Sequence, residues 1–300
     1  MSALLRRLDA HKPALWLEVA PPRGIAVDSM LTRLAALCGH VDAINLADNA
    51  LGRVKLAPLV FGSMIKSRLN LPVVLNFSCR DRNRYALKAD LLGAGALGME
   101  GVVALAGDKL ADDPSGARAV HDLEPLNLLR VMHDLRRGDT GEGRRLLKTL
   151  PQFAIGAVAN PNRKAIEREF ELLGRKAQAG AEFVITQPVF DPAVARAFVA
   201  HARRHKLRVV LGILPVKRES MASYLKDRIP DLAGAHEHLD RYAGTSEAQA
   251  RRMSIDSSIA LMRALADEVT GFNIMSGGGP SLAIELALEF SRLLEDSGAR

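Results

Sequence analysis

Eight short apolar runs, each separated from the next by a stretch of helical periodicity, constrain this chain more than any other feature of its sequence. Runs of four to seven residues rich in Val, Ile and Leu suit strands buried on both faces, and a helix-length connection is what a parallel partner strand requires. The expected strands are Leu15–Val19, Ala43–Ala47, Val73–Phe77, Gly101–Ala106, Phe153–Ala159, Phe183–Gln187, Val209–Ile213 and Phe272–Met275. Helical patterns lie between them at Asp28–Cys38, Pro58–Ser67, Arg84–Leu97, Leu126–Arg137, Arg163–Ala179 and Val194–His205, and Ser281–Leu294 follows the last strand. The seventh connection holds two helical patterns, Glu219–Asp227 and Glu247–Glu268, separated by a polar stretch that reads as a surface insertion. Two segments, Asp108–Glu124 and Gly138–Pro151, carry glycine and charge with little periodicity.

This alternation predicts a (β/α)8 TIM barrel, one domain over residues 1–300. An open doubly wound sheet is the competing architecture, but eight strands with no sign of a reversal in strand order favour closure. Three hundred residues, 48% of them hydrophobic, suffice for one large core. The longest apolar run, Ala86–Leu97, is broken by Lys88 and Asp90, so no membrane span is expected. Met1–Arg7 lacks the apolar region of a secretory signal, and a cytoplasmic protein is the expectation. Cys38 and Cys79 are too few for a disulfide framework or a zinc site, and both are expected to be reduced, with no metal. The net charge of +7 could mark a nucleic-acid surface. The basic residues, however, are dispersed through amphipathic helical patterns and aromatics are scarce, so a solvated helical shell accounts for them better and no nucleic-acid partner is expected. A positive balance would equally steer a polyanionic small molecule.

A barrel carries its chemistry on the loops that follow its strands, so the polar residues ending each apolar run are the informative ones. In order they are Glu18; Asn45 with Asp48 and Asn49; Cys79 with Arg80 and Asp81; Asp108; Asn160; Gln187; and the glycines Gly277, Gly278 and Gly279. Glu18 sits in an apolar strand running into Pro21 and Pro22, where desolvation would raise its pKa and suit it to donate a proton; a buried Glu paired with an arginine is the alternative. Asp108 follows Gly107 and is either a turn or a site residue. Gln187 offers a donor and an acceptor from a rigid strand, or simply caps a loop. The triple glycine precedes a helix, where barrels often hold phosphate, though it also reads as a flexible turn. Arg80-Asp81-Arg82-Asn83-Arg84 reads better as an ion-pair network than as a phosphate grip.

Taken together these strand ends resemble the methylenetetrahydrofolate reductase family, in the family's order and over essentially the whole chain. Glu18-Val19-Ala20-Pro21-Pro22 is similar to the family's Glu-x-x-Pro-Pro, and Leu105-Ala106-Gly107-Asp108 to its Leu-x-Gly-Asp. Ala179-Gly180-Ala181 through Thr186-Gln187-Pro188-Val189-Phe190-Asp191, and Gly212-Ile213-Leu214-Pro215-Val216, resemble two further motifs. Cys79–Arg84 and Asp90–Ala94 resemble the short bacterial branch. The resemblance implies an oxidoreductase interconverting 5,10-methylenetetrahydrofolate and 5-methyltetrahydrofolate, with FAD as hydride carrier and NADH or NADPH as donor. It implies Glu18 as the general acid, Asp108 as the carboxylate that holds the pterin and stabilises the iminium, and Gln187 as a contact to pterin and nicotinamide. Asn76, Gly107, Asp108, Asn160, Lys164, Glu169, Arg175 and Lys176 fall where the family contacts FAD. This chain departs from better-known members at Ala47 and Ala106, where hydroxyl or guanidinium donors are usual near the flavin. It departs again at Met221 and Gly277, where a glutamine and an arginine hold the folate tail. Two other readings follow from the departures: a flavin-free reductase using the nicotinamide directly, or a folate-binding subunit that depends on a partner protein for electrons. Homo-oligomer and partner subunit both stay open.

Overall fold

The computed structural model describes residues 2–108, 110, 116–141, 143, 149–228, 235–277 and 279–296. Eight parallel strands close into a barrel in strict chain order: β1 (Ala14–Val19), β2 (Ala43–Leu46), β3 (Val73–Ser78), β4 (Gly101–Leu105), β5 (Ala154–Ala159), β6 (Phe183–Pro188), β7 (Arg208–Ile213) and β8 (Gly271–Met275). Closure is made by β1 pairing with β8, with Trp16 opposite Asn273 and Glu18 opposite Met275. Each strand lies within one residue of its expected bounds, because the apolar runs are bounded by residues that cannot continue a buried ladder. The helices are α2 (Asp28–Ala35), α3 (Pro58–Leu69), α4 (Arg84–Ala96), α5 (Pro125–Arg136), α6 (Ile166–Gln178), α7 (Pro192–Arg204), α8 (Glu219–Arg228), α10 (Glu247–Leu265) and α11 (Ser281–Asp296), joined by two that periodicity did not reveal, α1 (Ala3–Leu8) and α9 (His236–Asp240).

Six and five residues are too short to display a helical period, and tertiary packing supplies what propensity cannot. Helix α1 turns Leu4, Leu5 and Leu8 into the bottom of the barrel against Trp16, Val74, Val103 and Phe183. Large and small residues interlock there: a Cβ on Gly101 would meet Leu4 at 2.8 Å, and one on Gly156 would meet the Phe183 ring at 2.4 Å. The Trp16 and Phe183 rings meet edge to face at 5.6 Å, a contact worth about 0.5–1.5 kcal/mol beyond burial. The polar stretch expected to be a surface insertion is partly a second small core. Leu239 of α9 and Tyr242 in the turn after it bury with Val216, Ala222, Leu225 and Ala250.

At the bottom face, the residue just before β2, β4 and β6 caps the odd strand that precedes each. Asp42 accepts the backbone N–H of Leu15, Glu100 that of Val73, and Glu182 that of Ile155. Each carboxylate also pairs with a cation, Arg7, Lys66 and Arg136 respectively. These acids close the base of the barrel, which leaves the opposite rim for chemistry. Among the described residues no helix is long and apolar enough to cross a membrane, and no group of His, Cys, Asp and Glu is arranged to hold a metal ion.

Candidate active site

Strand alternation sends Ala14, Trp16 and Glu18 into the barrel in turn, so the carboxyl group of Glu18 emerges in the uppermost interior layer. Among the described residues no arginine is hydrogen-bonded to it. Its Oε2 accepts a hydrogen bond from Asn273 Nδ2 at 2.9 Å and a longer one from Asn45 Nδ2 at 3.4 Å, and Asn45 Nδ2 also donates to Asn273 Oδ1 at 3.3 Å. Burial pushes the Glu18 carboxyl above its ordinary range; the Asn273 hydrogen bond opposes that, and the negative charge of Asp108 adds to it. Both asparagines are buried polar residues inside otherwise apolar strands, a pattern that marks a functional layer in sequence even though Asn273 stood out in no motif.

Asp108 follows β4 through Gly107, whose φ of +88° suits glycine. A Cβ there would lie 2.2 Å from Ser78 Oγ and 2.9 Å from the Arg80 Cβ, so the backbone crosses directly over the end of β3. One Asp108 oxygen, Oδ2, accepts the backbone N–H of Leu51 at 2.6 Å, and its main-chain carbonyl accepts from Arg80 at 2.9 Å. Leu51 and Asn49 both have left-handed backbones (φ +58° and +43°), which presents that N–H to the carboxylate. The side chain of Asp108 is otherwise exposed at the mouth.

The Arg80–Arg84 segment is the ion-pair network its alternating charges suggested. Buried Arg80 forks onto Asp81 and also donates to the Asn49 carbonyl; Arg82 bridges Asp48 and Asp90. Asp48 in turn accepts the N–H of Ser78. The network locks the loops after β2, β3 and β4 together and so fixes Asp108. Cys79, beneath it, is buried, and desolvation pushes its thiol up to about 12.

Gln187 is aimed by an irregularity at the end of β6. The pairing with β7 slips between Ile185 and Pro188, and the Thr186 hydroxyl accepts the Gly212 N–H at 2.9 Å. A Cβ on Gly212 would meet the Thr186 carbonyl at 2.4 Å, so this bulge needs the glycine. Gln187 thereby projects into a cavity of about 430 Å³ shared with Ala106, Gly107, Asp108, Arg175 and Lys176. Larger hollows lie at the bottom face beside Arg7 and His40, and on the helical shell beside Phe190 and His238. Neither includes a strand-end acid, so the smaller cavity is the candidate site.

At the outer end of that cavity, buried Glu169 pairs with Lys176 at 2.8 Å and with Arg163 at 3.1 Å, while Arg175 lies at the rim. Desolvation pulls the Lys176 ammonium below its ordinary range, with Glu169 holding it up. Arg163, Arg175 and Lys176 outnumber the carboxylates Glu169 and Glu124 there and leave a net positive end. Of the other residues expected to contact a cofactor, Asn76 points into the barrel from β3, Asn160 caps its own loop by accepting the Asn162 N–H, and Lys164 is exposed before α6; none of these three lines the cavity. Gly278 lies outside the described residues. Its neighbour Gly277 touches Met221: a Cβ at 277 would lie 2.8 Å from the Met221 Cε and 3.0 Å from Leu214 Cδ1. The two positions where a glutamine and an arginine were usual are thus one apolar contact.

A family model described as methylenetetrahydrofolate reductase matches residues 3–276. No curated protein matches the chain. Among solved structures, an uncharacterized protein from Clostridium thermocellum that binds two copies of 5-methyl-5,6,7,8-tetrahydrofolic acid is 14% identical, covers 98% of this chain and 99% of its own, and superposes with a TM-score of 0.66. A 2,3-dimethylmalate lyase (13% identity, 99% of this chain and 86% of that one, TM-score 0.53) and a mutant tryptophan synthase α-subunit from Pyrococcus furiosus (13%, 95% and 100%, TM-score 0.52) share the barrel. At these identities the likeness is one of fold.

Proposed function

We propose that this chain, which belongs to the methylenetetrahydrofolate reductase family, is a flavin-dependent oxidoreductase that interconverts 5,10-methylenetetrahydrofolate and 5-methyltetrahydrofolate, with NADH or NADPH as the donor. The observation that carries the reading is a pair of carboxyl groups in opposite environments at one barrel mouth. Glu18 is desolvated, with its pKa raised, and suits a proton donor. Asp108 is exposed and anchored by a backbone N–H, and suits the stabilisation of positive charge. In this reading Glu18 gives its proton to the ring nitrogen whose bond to the methylene carbon breaks, opening the five-membered ring to an iminium. Asp108 holds the pterin and offsets the iminium charge, and a hydride then reaches the methylene carbon to give the methyl group. Gln187, carried on the bulge, offers amide donor and acceptor to the pterin and to the nicotinamide in turn.

The residues present fit FAD. The positive end formed by Arg163, Arg175 and Lys176 suits a diphosphate, and Ala106 and Gly107 bring little side-chain bulk to the lining of the same cavity. FAD, when bound, supplies the hydride after accepting it from the nicotinamide. A flavin-free reading is favoured by one feature: Ala47 and Ala106 give the strand ends no side-chain donors for a flavin edge. Purification and a visible spectrum separate the two, because stoichiometric bound flavin rules out direct transfer. A purified chain with neither reductase nor methylfolate oxidase activity, with FAD added, would end the proposal.

A further inference from the structure

We infer that Asn45 and Asn273 are positioning residues that clamp Glu18 as a one-sided acid, committing Oε2 to accept hydrogen bonds and confining the acidic proton to Oε1. The inference deepens the proton-donor reading of Glu18 and rests on it for its catalytic meaning. The two asparagines come from β2 and β8, the neighbours of β1 on either side, and both are almost fully buried. The three side chains form a closed triangle in which Asn273 donates to Glu18, and Asn45 donates to both Glu18 and Asn273. Both bonds that reach Glu18 end on Oε2. With Glu18 Oε2 unprotonated, turning the Asn45 amide over would set its oxygen against that oxygen and the Asn273 Oδ1, both acceptors. In the orientation that avoids this, Asn45 Oδ1 is left without a partner, and among the described residues it is the one buried side-chain acceptor so left. Leaving a buried acceptor unpaired is costly, and here it accompanies two N–H groups aimed at one carboxyl oxygen.

With two donors converging on Oε2, a proton on that oxygen would point at N–H hydrogens, so protonation falls on the oxygen the clamp leaves free. The chemical type of the clamp matters as well. An arginine in place of either amide would hold Glu18 ionised and end its use as an acid. Neutral amides fix orientation while opposing burial far less. Around the same interior layer the facing groups are Asn76 of β3 and Gln187 of β6, neither titratable, and the charge that acts on Glu18 is that of Asp108 beyond β4.

Infrared difference spectra across a pH titration test the clamp, with the Glu18 band assigned by its loss in Glu18→Gln. In the parent the protonated Glu18 carbonyl is Oε2 carrying two hydrogen bonds, so its stretch lies low; in Asn273→Leu it should move to higher frequency, and in Asn45→Leu by less because that bond is longer. The midpoint should rise by about one pH unit in Asn273→Leu. Folate turnover at low pH should fall about tenfold as the carboxyl gains freedom to rotate, while nicotinamide-driven reduction of bound flavin stays unchanged. A purely structural role would lower the melting temperature and leave the carbonyl band in place. An unshifted band in either folded variant overturns the clamp. A parent chain that shows the Glu18 titration but no folate turnover would remove the proposed function and leave the band shift to decide the clamp.

Discussion

Replacing Glu18 by glutamine keeps the shape of the side chain and its carbonyl acceptor while removing the titratable proton. The surroundings of Glu18 make the outcome specific. Its hydrogen-bond partners are two neutral amides, so no arginine is stranded, and the glutamine carbonyl can accept the same N–H groups from Asn45 and Asn273. Stability therefore should not fall by the roughly 3–5 kcal/mol expected when one partner of a buried ion pair is removed. Its pH dependence should change in a defined direction. The folded-state pKa of Glu18 is raised above the ordinary value of 4.5, so the carboxyl supports folding most at pH below 4.5 and loses that contribution as pH rises through the raised value. The amide carries no such loss. The variant's melting temperature should accordingly gain on the parent's as pH rises above 4.5. Folate turnover should collapse by about a hundred- to ten-thousand-fold, the usual share of general acid catalysis, which at 1.36 kcal/mol per decade is roughly 2.7–5.4 kcal/mol. Flavin content and flavin reduction by nicotinamide, read by stopped-flow absorbance, should match the parent. Turnover within about threefold of the parent at every pH would refute the acid role. A drop in melting temperature at neutral pH would refute the account of its surroundings.

Glu169→Gln should strand the buried Lys176 ammonium and cost about 3–5 kcal/mol in urea unfolding at pH 7. Because the Lys176 pKa already lies below its ordinary 10.5, part of that loss should return as pH rises toward 10, and a loss that is flat with pH would contradict it. Gly107→Ala must strain a backbone at φ +88° and push against Ser78 and Arg80. A loss of at least about 1–3 kcal/mol is expected, with folate turnover falling as Asp108 shifts, and a neutral melting curve would show that the crossing is looser than described. Thiol labelling of the native protein should modify exposed Cys38 and spare Cys79, whose pKa of about 12 and burial leave almost no thiolate; two fast equivalents would refute this.

The strand order, the helical connections and the polar residues that end each strand were legible in the sequence, because each depends on local periodicity and on which residue ends a run. The positions of Glu18, Asp108 and Gln187 at strand ends, from which the proposed site is built, were read that way. Position along a strand also separates them from Asp42, Glu100 and Glu182, acids of the same type that precede strands and close the base. Other features needed the closed barrel. The α1 plug has three leucines but too few residues for a period, and its site at the bottom exists only once eight strands surround it. Gln187 is aimed by Gly212, 25 positions later, through a slip in pairing that no local pattern records. Asn45 and Asn273, 228 residues apart, meet at Glu18 solely because β8 returns to pair with β1. Their role as donors is fixed by which atoms face which across that seam. Periodicity in a chain determines which face a side chain takes, whereas the partner it finds there, and hence the direction of a hydrogen bond and the oxygen that carries a proton, is decided by contacts that closure alone creates.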